Sequence, residues 1–185
     1  MQFPTLPARL RIGALTAACA AALAPLAVLA AMSSSAVPAV TAAATVPGCS
    51  TSGLVVWLNT QGNGTAGSIY YTLEFTNLSG RTCTLQGYPG VSAVNLGGVQ
   101  LGSAAGRDNT GKVSAVTLTN GATATASLQI VEAGNFPPAT CRIATASGLR
   151  VYPPNQTASK VIPFPFQSCS RSGPIYLRVR TVHKA

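Results

Sequence analysis

The chain has 185 residues, with 12 Lys and Arg against 3 Asp and Glu, for a formal net charge of +9; only 8% of its residues are charged. Three carboxylates and a single histidine leave little material for acid–base catalysis or a metal centre. So thin and scattered a positive charge also argues against nucleic-acid binding, which clusters Lys and Arg on one face or in runs.

Arg9 and Arg11 precede an uncharged apolar run, Ile12 to Met32, followed by the small-residue stretch SSSAVPAVTAAATVPGC. This is the pattern of an export signal, with Ala36 and Ala44 both suited to precede the cleavage point. An uncleaved anchor is the competing reading, since about twenty apolar residues suffice to span a bilayer. Cys19 is a poor lipidation site, because the apolar run continues well beyond it. The expected organisation is a signal peptide and small-residue tether over 1–44 and one domain over 45–185. The product would be secreted or attached to the cell envelope, with no membrane span once the leader is removed. The four cysteines beyond the leader, Cys49, Cys83, Cys141 and Cys169, read as two disulfides in an exported chain.

Period-two alternation dominates residues 45–185. LVVWL (54–58) is a first strand. SIYYTLEFT puts Ile69, Tyr71, Leu73 and Phe75 on one face and Tyr70, Thr72, Glu74 and Thr76 on the other, as a half-buried strand does. VSAVNL (91–96) and GVQLG (98–102) are shorter candidates. ATATASLQIV (122–131) is rich in alanine, a weak strand former, but its interleaved Thr123, Thr125 and Ser127 favour a strand. GLRVYP (148–153), KVIPF (160–164) and IYLRVRTV (175–182) follow, with Asn-Gly, Pro-Pro and Ser-Gly punctuation between them. Short strands at this spacing predict an all-β antiparallel β-sandwich with two disulfides, preceded by the N-terminal signal segment.

The chemistry-bearing motifs are weak. GNGTAG (62–67) fits a dinucleotide pattern, but a strand follows it where a helix is required, so no cofactor is expected. Glu74, Asp108 and Glu132 are far apart in sequence, and His183 lies two residues from the C-terminus, where fraying makes a poor site for a base. Both methionines belong to the leader and the cysteine spacings are not those of a zinc site, so no metal is expected. The triplets at Asn63, Asn77 and Asn155 have the form of glycan acceptors, but in a chain so rich in Asn, Ser and Thr they read as chance.

The stretch YYTLEFTNLSGRTCTLQGYPGV (70–91) resembles the signature of an actinobacterial secreted family, domain of unknown function 4232. The matching positions are Asn77, Ser79, Gly80, Cys83, Gly87, Tyr88, Pro89, Gly90 and Val91, and the likeness runs from Cys49 to Cys169 and IYLRV. The resemblance implies an exported, Ig-like or related β-sandwich and implies no activity. Read physically, the stretch is a corner. Asn77 and Ser79 bond local backbone as a strand ends, Gly80 takes a left-handed conformation, and Tyr-Pro-Gly turns the chain with Gly90 relieving the bend.

Two expectations complete the reading. Antiparallel hairpins on either side of 62–67 and 153–159 would pair Cys49 with Cys83 and Cys141 with Cys169. In IYLRVRTV, alternation would send Ile175, Leu177 and Val179 to the core and leave Tyr176, Arg178 and Arg180 as a surface stripe. That stripe is the candidate binding site, for an anionic cell-envelope polymer. The function expected is a non-enzymatic, envelope-associated binding or structural module. The alternative is a secreted enzyme whose Glu74, Asp108, Glu132 and His183 converge only in the fold.

Overall fold

The computed structural model describes residues 45–185; the predicted leader and tether, residues 1–44, lie outside the described residues. The described chain is an all-β, Ig-like antiparallel sandwich. Its strands are β1 (Leu54–Thr65), β2 (Ser68–Asn77), β3 (Cys83–Gln86), β4 (Gly90–Val94), β5 (Gln100–Leu101), β6 (Gly106–Arg107), β7 (Ala115–Leu118), β8 (Thr123–Val131), β9 (Ile143–Tyr152), β10 (Lys160–Cys169), β11 (Leu177–Val179) and β12 (His183–Lys184). The larger sheet runs β1-β2-β8-β11-β6, with β12 also on β8; the second runs β10-β9-β4-β5, and β3 pairs with β7 alone. The short β6–β11 contact is parallel, a departure from the expected antiparallel pattern. Among the described residues no helix is long and apolar enough to cross a membrane.

The alanine-rich segment is the centre of the larger sheet, and its composition has a packing reason. β2 and β8 pair from Ser68↔Val131 to Thr76↔Thr123, which sets Ala124 opposite Phe75 and Ala126 opposite Leu73. All four are fully buried. Small side chains beside large ones let the layer fill without voids, so tertiary packing overrides alanine's weak strand preference. In the second sheet Val91 pairs with Val151 and Ala93 with Leu149, again fully or almost fully buried. The ring of Tyr71 from β2 meets Phe164 of β10 edge-on at 5.0 Å.

Strand β1 extends well beyond LVVWL and takes in most of the glycine-rich segment. The partners Asn59↔Thr72 and Asn63↔Tyr70 leave three residues opposite one, a bulge. A side chain at Gly62 would meet Ile69 and Tyr71, so the glycine lets two core-side residues cross the bulge. The chain then reverses through Ala66 and Gly67, the latter at φ +73°.

The disulfides join Cys49 to Cys83 and Cys141 to Cys169, each across the ends of a hairpin. Each closes a loop of about thirty residues, which contributes roughly 3–4 kcal/mol by limiting the unfolded chain. The backbone beside Cys49 is held as well, since its amide donates to the Thr84 carbonyl at 2.9 Å.

One expectation about the last strand is corrected. Alternation does not run through IYLRVRTV: only Leu177–Val179 is in the ladder. Tyr176 and Leu177 are consecutive yet both fully buried, whereas Ile175 is 38% exposed. The chain joins the sheet only after Tyr176, whose phenol finds a carbonyl acceptor in the opposite sheet and whose ring lies where Gly102 carries no side chain. A buried aromatic with its hydroxyl satisfied is more stable there than on the surface.

Candidate functional site

The corner at Asn77 is built as expected and then does more. Asn77 is fully buried, which removes it as a glycan acceptor. Its Nδ2 donates to the carbonyls of Arg81 (2.7 Å), Leu118 (2.9 Å) and Thr119 (3.2 Å). Its Oδ1 accepts from the amide and hydroxyl of Ser79. One side chain therefore ties the β2–β3 corner to the β7–β8 turn. Gly80 takes φ +75° as expected, but further on the left-handed residue is Gly87, at φ +104°, not Gly90. Gly90 opens β4 opposite Tyr152.

Past this corner the chain forms the wall of a hollow of about 580 Å³, lined among others by Tyr88, Arg107, Val113, Tyr152, Asn155 and Gln156. Three supports fix the wall. The Gly87 carbonyl accepts from the Val182 amide at 2.9 Å and the Thr181 hydroxyl at 3.1 Å. Asn155 sits at φ +59° as the third residue of a Pro153–Gln156 turn closed by a 3.0 Å bond, a position that needs a left-handed residue. Its Nδ2 donates to the Gln86 carbonyl. Gln156 accepts from the Thr51 amide through Oε1, so its amide is already engaged.

The charged group of the hollow is Arg107, whose guanidinium lies 5.4 Å from the centre of the Tyr88 ring, an attractive arrangement for a cation on an aromatic face. Among the described residues Arg107 has no ion pair, and the carboxylate of Asp108 accepts from Arg180 Nε at 2.8 Å. That bond, with further bonds from Thr110, pulls the Asp108 carboxyl down to about 2. No carboxylate lines the hollow. The arrangement suits recognition of an anion next to aromatic faces.

The predicted stripe is taken apart by the fold. Tyr176 is in the core. Arg178 and Arg180 are exposed, but Arg180 is bound to Asp108, so the stripe is not free of acids. The aromatic nearest to Arg178 along the sheet is Tyr70, which pairs with Gln129, as Arg178 does. Sequence reasoning missed the hollow because its residues come from four separated segments. The usable signal was that GYPG and VYPPN each place a tyrosine beside a turn-forming proline.

Two of the groups named for the alternative enzyme do share a row. Trp57 is opposite Glu74, Glu74 opposite Thr125, and Thr125 opposite His183. The Thr125 hydroxyl lies 3.2 Å from His183 Nδ1. This row is on the outer face of the larger sheet, and Thr125 separates the carboxylate from the imidazole. Glu132 is elsewhere, in the wall of an apolar hollow of about 330 Å³ formed by Ile69, Tyr71, Ile130, Ile143 and Phe166.

Over residues 49–183 the chain matches a family described as domain of unknown function (DUF4232). The chain belongs to this family. No curated protein and no solved structure matches it. The DUF4232 match begins at Cys49 and ends at His183, so it contains both disulfides, the Asn77 corner and every residue that lines the larger hollow.

Proposed function

We propose that this protein is an exported, non-enzymatic binding module of the cell envelope, holding a polymer that carries negative charge. The observation that supports the reading is the larger hollow, where an arginine free of any carboxylate partner lies on a tyrosine ring beside a second tyrosine. Such a surface binds and orients, and it brings no acid–base pair to a bond. The two disulfides suit an oxidising compartment, and residues 45–185 carry ten basic groups against three acids, which favours attraction to anionic polymers. The test is retention of the disulfide-intact chain on isolated cell wall in rising salt. Retention at about 0.1 M that is lost by about 1 M, as the screening length falls from roughly 10 Å to 3 Å, supports the reading. Absence of retention at low salt overturns it.

A further inference from the structure

Resting on that reading, we propose that the Tyr88–Arg107–Tyr152 hollow is a saccharide subsite. Its ligand is a sugar ring bearing one carboxylate or phosphate group.

Size comes first. About 580 Å³ falls within the roughly 300–1,000 Å³ typical of small-ligand sites. Charge comes second. A single guanidinium faces the space, which matches one anionic group per residue of ligand and not the row of phosphates that a nucleic acid presents. Arg107 can take both oxygens of a carboxylate or phosphate through parallel N–H bonds. It is held for this in two ways. The Tyr88 face restrains the guanidinium, and the backbone of Gly106 and Arg107 pairs in parallel with Arg178 and Val179. Restraint before binding lowers the entropy lost on binding.

The uncharged part of the ligand is set by the rest of the lining. Tyr88 and Tyr152 are both half-buried, and among the described residues neither phenol hydroxyl has a hydrogen-bond partner within the protein, so both can bond sugar hydroxyls. Aromatic faces carry negative charge in their π systems and attract the C–H face of a sugar ring. Asn155 spends its Nδ2 on Gln86 and keeps its Oδ1 for a donor. An apolar ligand would waste these groups, and a bulky protein partner would not need them gathered in a hollow.

Titration calorimetry on the disulfide-intact chain tests the proposal with three probes: a uronic-acid trisaccharide, a hexose phosphate and an uncharged trisaccharide. A charged probe should bind at least about tenfold more tightly than the uncharged one, and whichever charged probe is tighter identifies the anion as carboxylate or phosphate. Arg107→Gln should abolish that preference, bringing the charged probes down to the affinity of the uncharged one. Charged-probe binding that survives Arg107→Gln in a folded variant, or equal binding of all three probes, would overturn the subsite. So would wall retention by the unmodified chain with no binding of any probe, a result that leaves the module reading standing.

Discussion

The phenolic hydroxyl of Tyr176 donates to the backbone carbonyl of Leu101 at 2.9 Å, so the residue just before β11 of the larger sheet is bonded to β5 of the smaller one. The ring is fully buried, and burial pushes the phenol up to about 12, against a smaller opposing pull from the Ser168 hydroxyl. Tyr176→Phe should lower stability by about 1–2 kcal/mol, because the Leu101 carbonyl is left without its donor; urea denaturation measures this directly.

The same phenol predicts an alkaline transition. The folded-state value lies above the ordinary value near 10, so the unfolded chain loses the proton first as pH rises. Stability from this group is intact below about pH 10 and falls progressively as pH rises toward 12. Denaturation at stepped pH should show the loss in the native protein, and Tyr176→Phe should remove that part of the slope.

Asn77 makes five hydrogen bonds from full burial. Replacement by Ala leaves the carbonyls of Arg81, Leu118 and Thr119 without that donor and should cost about 2–4 kcal/mol. Replacement by Asp removes the donors while keeping the shape and should be at least as damaging. Equilibrium unfolding of both variants checks the order.

The Asp108 carboxyl is held low by its hydrogen bond to Arg180, with Thr110 adding to it. A depressed carboxylate stabilises above its unfolded value, so this contribution is present above about pH 4 and is lost as pH falls through about 2. The pair is at the surface, with the Arg180 side chain 51% exposed, so its worth is below about 1 kcal/mol. Carboxyl NMR titration should place Asp108 well under 3.8 in the native chain and nearer to it in Arg180→Gln.

Strands whose burial alternates were legible in sequence. Leu73 and Phe75 followed period two to the core, and the hairpins they imply led to the disulfide pairing. Tyr176 was not legible, because alternation holds only while the chain stays in a ladder, and a tyrosine ring with a distant carbonyl acceptor can leave it. The stripe failed for the same reason, and because Asp108 comes from a loop that no local pattern connects to Arg180. The hollow depends on Arg107 in a two-residue parallel strand, which carries no periodic signal at all. Gly87 and Gly90 were indistinguishable by type; the need of one for a positive φ appears only when the turn is seen.

Chemical-shift mapping is the most direct test of the central claim, that this module binds anionic saccharide through the larger hollow. Labelled, disulfide-intact chain is titrated with a solubilised anionic wall polysaccharide. The largest shifts are expected at Tyr88, Arg107, Tyr152 and Asn155, and at the same ligand concentration they should be strongly reduced in Arg107→Gln. Shifts centred instead on Trp57, Tyr70 and Arg178 of the outer sheet face, unchanged in Arg107→Gln, would contradict it.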